Sequence, residues 1–279
     1  MSWSANKPKE SRGDPALASW LGWLVPGAGH LYLGAPILAA VAFLLVMGLF
    51  LGGIRLSDGM VFEFLDADLR GPIAGALTPE VGNLGGLIWY SKSYGFGPGY
   101  PRSWPEHIHL ASWLMASSGL LNVIFVVHAV TLARLPKGLM PRGFAPASHV
   151  LAGWLVPGLG HLMQGRRLRA AIVFTVLVGL LVLGTILAEG SNLDRERHFY
   201  YWSGQFLAGG PVMLLEALHG HARVTGEIPY VDAGLVFGCL AGLLNILCLL
   251  DVQAVGARRV LDEAQAPTAP APIRLGATA

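Results

Sequence analysis

Charged residues are scarce in this sequence. Only 13% of its 279 residues are Asp, Glu, Lys or Arg, and 53% are apolar, whereas about a quarter of a soluble protein is charged. So little charge cannot cover a soluble fold of this length, which excludes soluble enzymes and nucleic-acid-binding proteins. The net charge of +2 gives no reason to expect nucleic acid as a partner.

Cysteine is equally rare, since Cys239 and Cys248 are the only two. Nine positions along one helix separate them by roughly 13 Å, beyond disulfide reach, so we interpret them as buried packing residues. The polar segment 1–14 precedes an apolar stretch without a small-residue cleavage site, so no cleaved signal peptide is expected. The sequence shows no strong catalytic signature and predicts no cofactor.

Long uncharged runs are abundant instead. A run of about 20 apolar residues is enough to cross a bilayer as a helix. The sequence therefore predicts an all-α integral membrane protein, with the lipid bilayer as its first partner. Four full spans are expected, at 35–54, 108–133, 169–188 and 233–257.

The chain contains an internal duplication. Residues 22–31 return as 153–162 with nine of ten positions identical, and Gly-Leu-Leu-Asn at 119–122 returns at 242–245. A weaker echo relates 71–73 to 210–212. We infer two tandem membrane repeats with the same orientation. The predicted boundaries are a tail at 1–14, repeat 1 at 15–134 with its loop 55–107, a basic linker at 135–146, repeat 2 at 147–258 with its loop 189–232, and a disordered tail at 259–279.

Charge decides the predicted topology. The two loops hold 7 Lys/Arg and 12 Asp/Glu, while the tails, the linker and the segment around Arg166 hold 12 and 5. The positive-inside rule then places both termini and the linker in the cytoplasm, in a bacterial-type inner membrane. The positive-inside rule is satisfied for all of these segments only if the two stretches broken by Pro-Gly are re-entrant or interfacial half-helices.

Each broken stretch carries the same motif of proline, two glycines and histidine. Its members are Pro26, Gly27, Gly29 and His30 in repeat 1, and Pro157, Gly158, Gly160 and His161 in repeat 2. The proline ends regular helix and the glycines permit positive φ or close backbone approach. Two interpretations of the histidines remain open: they bond freed backbone carbonyls, or they meet as an ionisable pair at the repeat axis.

The segment 26–34 resembles the signature of the two-transmembrane-helix domain family. It is closer to the Pro-Gly-x-Gly-His-x-Tyr-x-Gly segments of uncharacterised bacterial inner-membrane proteins grouped as domains of unknown function. The resemblance implies a membrane architecture without an assigned activity. It also implies an Asp near the cytoplasmic end of the family's second helix, which Asp251 matches in repeat 2 and His128 replaces in repeat 1. This sequence departs from the family in its long loops, its doubling, and Met163 and Gln164 in place of Tyr and Leu.

Small and amide residues mark the expected helix contacts. The spacings Gly48-x-x-x-Gly52 and Gly238-x-x-x-Gly242 predict close helix approach, as do Gly179 and Gly184. Asn122 and Asn245 are expected to bond across such contacts, and the alternative is a substrate-binding role between the repeats.

Aromatic residues crowd the two loops, notably at 89–100 and 199–202. They are typical of a belt at the membrane interface, and the alternative is a surface for a membrane or periplasmic protein partner. The pairs His107/His109 and His219/His221, with His198, are weak candidates for a metal site. The predicted function is a non-catalytic interaction or assembly component. The alternative is a small-solute or lipid-binding transporter with its site at the repeat interface.

Overall fold

The computed structural model describes residues 11–65, 70–92, 103–137, 145–220 and 226–265. This part of the chain is helical and contains no strand beyond a single bridge between Ser11 and Pro136. Its α-helices are α1 (Pro15–Leu24), α2 (Ala28–Tyr32), α3 (Pro36–Leu56), α4 (Pro72–Ala76), α5 (Leu84–Lys92), α6 (Ile108–Ala133), α7 (Ala147–Leu155), α8 (Leu159–Met163), α9 (Arg167–Leu187), α10 (Phe199–Phe206), α11 (Gly210–His219) and α12 (Val231–Gln265).

Four of these helices, α3, α6, α9 and α12, are long and apolar enough to cross a membrane. Their most apolar segments have mean hydropathies of 1.9 to 2.7, and large aliphatic side chains such as Leu44 and Leu247 remain exposed on them. Such surface is stable against lipid tails rather than water. The prediction of an all-helical fold with four helices long and apolar enough to cross a membrane is confirmed, although α12 extends farther in both directions than 233–257.

The two repeats make the same internal contacts. In repeat 1, α3 packs closely on α6 at Gly53, where an added Cβ would lie 2.9 Å from the Ala111 carbonyl oxygen. In repeat 2, α9 packs on α12 at Gly184, where an added Cβ would lie 2.7 Å from the Gly234 oxygen. The repeated sequence therefore forms two units in which equivalent helices pack in the same way.

The expected small-residue contacts are partly wrong. Gly48 and Gly179 face open space, and Gly52 makes only ordinary contact with Leu114. Gly53 supports the close approach instead, one position beyond the predicted spacing. A helix turns about 100° per residue, so that single step moves the contact to another face.

Each repeat begins with a helical hairpin. Asp14 caps α1 by accepting bonds from the amides of Ala16 and Leu17. The chain then turns at Pro26-Gly27, and α2 packs back on α1, so that a Cβ at Gly29 would lie 2.3 Å from the Ala18 oxygen. Helices α7 and α8 repeat this at Gly160 and the His149 oxygen, at 2.4 Å.

The ends of the long helices define two faces. At the terminal face, the amide of Arg12 donates to the Leu135 oxygen at 2.8 Å, and Leu33 and Leu135 pack with Val260 near the end of α12. The opposite end, which we call the loop face, carries a cap formed by the described parts of 57–107 and 188–230. The described start of the chain, the described ends of the linker and the end of α12 thus share one face.

Apolar and aromatic side chains make up most of the interface between the repeats. Ala116 of α6 packs with Trp154 of α7 and with Trp202 and Phe206 of α10. A hydrogen bond from Gln253 to Thr131, at 2.9 Å, joins α12 to α6 nearer the terminal face. Burial of this surface holds the two repeats together.

Candidate functional site

The motif histidines bind the last long helix of their own repeat. His30 of α2 lies 2.9 Å from His128 of α6, measured between Nε2 and Nδ1, and the two buried rings stack. His161 of α8 lies 3.2 Å from Asp251 of α12, measured between Nε2 and Oδ2. His128 and Asp251 are at equivalent positions of the two repeats. Each motif histidine therefore links the Pro-Gly hairpin to a long helix by a side-chain contact.

Neither expected role of the histidines matches this geometry. Their ring contacts in the described part of the chain are with side chains and not with freed carbonyls, and each ring stays within its own repeat. The carbonyl of His30 accepts the Ala35 amide, and that of His161 accepts the Arg166 amide, both at 2.9 Å. The backbone therefore satisfies itself around the turn.

The two asparagines also act within their repeats. Asn122 donates to the Gly82 oxygen and Asn245 to the Leu207 oxygen, each at 3.0 Å. Both bonds attach the loop-face cap to a long helix. The two bonds place Gly82 and Leu207 at equivalent positions of the repeats, so that Gly85 corresponds to Gly210. The sequence similarity between 71–73 and 210–212 therefore does not mark equivalent positions.

A buried ion pair crosses from one repeat to the other inside the cap. The Arg195 guanidinium of repeat 2 donates to the Glu80 carboxylate of repeat 1, and the two side chains are only 1% and 0% exposed. The guanidinium carbon of Arg195 also lies over the rings of Phe64 and Trp202, at 4.8 and 4.4 Å from their centroids. Such stacking favours arginine over lysine at this position.

A second buried carboxylate lies in the same cap. Glu216 of α11 accepts hydrogen bonds from the indole nitrogens of Trp113 on α6, at 2.6 Å, and Trp202 on α10, at 2.8 Å. Burial raises the pKa of Glu216 to about 7, although the two indole donors and Arg195 favour the charged form. Glu216 thus joins the repeats through a group that titrates near neutral pH.

This pKa predicts a pH-dependent stability. The folded-state pKa of Glu216 lies above its ordinary value of 4.5. The contribution of its protonated form to the free energy of unfolding is therefore fully present below about pH 4.5. This contribution is lost as the pH rises through about 7. A pKa shift of this size corresponds to a loss of about 3 kcal/mol in the free energy of unfolding. We expect the apparent melting temperature in detergent to fall across this range, and Glu216→Gln to flatten the profile.

The control for this experiment is Glu227→Gln, which removes an exposed carboxylate from the same face. Its pH profile should follow that of the unmodified chain. A Glu216→Gln variant that keeps the full dependence between pH 4.5 and 7 would assign it to other groups.

The cap aromatics divide between core and surface. Phe199 and Trp202 are buried around Arg195, whereas Tyr200 and Tyr201 are exposed. The expectation of an aromatic belt throughout 199–202 is therefore wrong for half of the run. In the other run, Tyr90 is buried and donates to the Gly71 oxygen at 2.8 Å, and residues 93–100 lie outside the described part of the chain.

A cavity of about 240 Å³ opens in the cap between the repeats. Its walls include Phe64, Trp104 and His109 from repeat 1, and Asp194 and His219 from repeat 2. His198 instead lies 3.1 Å from the Ser191 hydroxyl. Among the described residues no group of three or more His, Cys, Asp or Glu is arranged to hold a metal ion; His221 lies outside them.

Sequence reasoning missed the charged groups of the cap. Glu80 and Arg195 lie in loops where charge is ordinary, so nothing local marks them as buried. The sequence offered one signal, since Glu216 interrupts the apolar segment 212–218. The structure adds that Glu80 aligns with Gln205, which is also fully buried and bonds Asn192. The cysteines, expected to be buried, are free and half-exposed.

Comparison with known proteins gives one family. No curated protein and no solved structure matches the chain. A model of a family of unknown function, DUF6677, matches twice, at residues 17–138 and 148–264. Together the matches cover most of the chain and coincide with the two repeats. The chain therefore belongs to this family of unknown function, DUF6677, and carries its domain twice in tandem.

Proposed function

We propose that the chain is a non-catalytic membrane component whose cap binds a second membrane or periplasmic protein. The observation that carries this proposal is the exposed apolar surface of the short cap helices, which lies outside the four long helices. Exposed members are Ile73 on α4 and Leu77 directly after it, Tyr200 and Tyr201 on α10, and Leu214 and Leu218 on α11.

The geometry of these helices supports a docking role. Ile73 and Leu77 are four positions apart, as are Leu214 and Leu218, so each pair forms one stripe. The opposite side of α11 buries Val212 and Glu216. The inner side of the cap is thus fixed by the Arg195–Glu80 ion pair and by the tryptophans that bond Glu216. Its outer side presents apolar side chains that a partner would bury.

The proposal includes a topology. Both termini and the linker lie in the cytoplasm, the cap lies outside, and the hairpins α1/α2 and α7/α8 are re-entrant at the cytoplasmic side of an inner membrane. The charge distribution and the shared terminal face support this. At 10 residues α1 rises only about 15 Å, half of a bilayer core. The repeats extend over 15–134 and 147–258, rotated about the membrane normal.

Cysteine labelling tests the topology. After both native cysteines are replaced by alanine, cysteine at Ser91 or Ser103, which are exposed in the cap, should react with an impermeant thiol reagent on intact cells. Cysteine at Ser148, in the first turn of α7, should react only after lysis. Ser203 is 4% exposed and is unsuitable. Labelling of Ser148 on intact cells would contradict the proposed orientation.

Photo-crosslinking tests the partner. A photoreactive residue at Leu77 or Leu218, in separate repeats of the cap, should give one adduct with the same protein in intact cells. The matched control is Leu44, which is 70% exposed on α3 against 74% for Leu218. Because Leu44 faces lipid, it should give no protein adduct.

Leu214→Glu should abolish the adduct formed at Leu218 while leaving protein abundance unchanged, since Leu214 is exposed and its replacement disturbs no core. An adduct of twice the chain mass would assign the surface to self-association and contradict a separate partner. The absence of adducts at both cap positions would reject the docking function.

The cavity in the cap favours small-solute binding as a second candidate. It is lined by both repeats and combines the stacked rings of Phe64 and Trp104 with the carboxylate of Asp194. Aromatic faces with a carboxylate suit an organic cation. Choline should then raise the melting temperature of the unmodified chain and have no effect on Trp104→Ala. Equal effects on both would remove this candidate.

A further inference from the structure

Four arginines line one shallow pocket of about 510 Å³ at the terminal face. Arg166, Arg167 and Arg169 lie at the start of α9, and Arg259 approaches from α12. We propose that this arginine pocket binds the phosphate-bearing headgroup of an anionic phospholipid.

The charges in the arginine pocket are only partly balanced. Asp251 accepts a hydrogen bond from Arg166 and lies 3.4 Å from Arg169. Arg259 donates to the Gln164 oxygen at 3.1 Å, which fixes its direction without neutralising it. Asp251 therefore pairs with only two of the four arginines, and Arg167 is exposed with no ion pair in the described part of the chain.

The position of the arginines within the helix strengthens the inference. The first turn of a helix carries a partial positive charge and free backbone N–H groups, so cations there are unfavourable and anions are favoured. No side chain caps the start of α9. Asp251 relieves this repulsion for Arg166 and Arg169 only, so the positive charge of Arg167 at this helix end favours a further anion.

Repeat 1 shows that the fold does not need these arginines. The corresponding start of α3 is Ala35, Pro36, Ile37 and Leu38, and His128 stands in the place of Asp251. Both repeats nevertheless form the same hairpin and the same helix pair. The positive-inside rule explains basic residues at this face, but it does not require four of them around one pocket.

The surroundings of the pocket point to a lipid rather than free phosphate. Arginine forks bind phosphate in a bidentate manner, which both ligands would satisfy. Leu168 and Ile172, four positions apart on α9, are 76% and 53% exposed on the membrane-spanning part of the helix. They provide an apolar track for an acyl chain directly below the headgroup, as in basic pockets between membrane helices.

Native mass spectrometry of the full chain in detergent micelles tests this inference, with phosphatidylglycerol and phosphatidylcholine as the probes. The unmodified chain should prefer phosphatidylglycerol by about 25-fold, since each of the two arginines without an ion pair in the described part of the chain, Arg167 and Arg259, contributes about fivefold near a membrane surface. R167Q/R169Q should lose most of that preference. R55Q/R258Q removes the same charge from exposed positions outside the pocket and should keep it.

Arg259→Gln is a second variant, which changes the facing helix and leaves the contacts of Asp251 intact. Melting temperatures measured in phosphatidylcholine identify the folded variants. An unchanged preference in either folded variant overturns the proposal. Displacement of phosphatidylglycerol by inorganic phosphate at equal concentration overturns it as well, because the pocket would then recognise free phosphate.

Discussion

Replacing Arg195 with methionine is expected to lower the free energy of unfolding by about 3 to 5 kcal/mol, because the Glu80 carboxylate then lies in the cap without its partner. Both side chains are at most 1% exposed, so water cannot replace the lost bond. The pair also joins the two repeats, so its loss should loosen the cap as a unit. Denaturant unfolding in micelles, followed by tryptophan fluorescence, measures the change.

Two further variants separate the charge from the packing. The double replacement Glu80→Met/Arg195→Met removes both charges and should recover much of the loss, since buried ion pairs are often replaceable by apolar residues. Arg55→Met breaks the exposed pair with Asp58, whose side chains are 86% and 66% exposed, and should cost less than about 1 kcal/mol. If Arg195→Met were as mild as Arg55→Met, the buried pair would not stabilise the cap.

Gly27→Ala should be the most damaging single-methyl addition in the hairpin of repeat 1. Gly27 has φ of 84°, and an added Cβ would lie 2.2 Å from the backbone oxygen of Ala39. The left-handed conformation alone costs about 1 to 2 kcal/mol, and the clash is with backbone, which cannot rotate away. We expect a total loss above about 3 kcal/mol, read as a lower melting temperature and lower abundance.

The molecule supplies its own controls. Gly34 also has a positive φ, 69°, but nothing lies within 4 Å of an added Cβ, so Gly34→Ala should show only the conformational cost. In repeat 2, Gly158→Ala and Gly165→Ala form the same pair, with the Ala170 oxygen 2.4 Å from the Cβ at Gly158. Equal losses within either pair would show that the close approach of α3 or α9 to the hairpin does not matter.

Much of the architecture could be predicted because it depends on local properties of the chain. The apolar runs located four long helices, and the bounds of α6 agree with the prediction while those of α3 and α9 differ by at most two residues. Identity between 22–31 and 153–162 identified the repeat. Both signals are strong because a membrane helix needs a continuous apolar segment and a copied unit keeps its motif.

The partners of the motif residues were less predictable. His30 and His161 were identified as the residues of interest, but their ring partners, His128 and Asp251, lie about 90 positions or more away in sequence. The alignment of the repeats had placed His128 and Asp251 at one equivalent position without showing that both face the hairpin. Only the packing of α2 on α6 and of α8 on α12 brings the groups together.

The sequence by itself determined the membrane class, the duplication and the Pro-Gly turns, since composition, periodicity and steric limits at single residues are local. Tertiary structure alone decided which charges are buried. Arg195 and Glu80 are 115 positions apart, and their loops resemble any polar loop until the two repeats pack. A buried ion pair depends on both partners arriving at one place together, and no short segment of the chain contains that information.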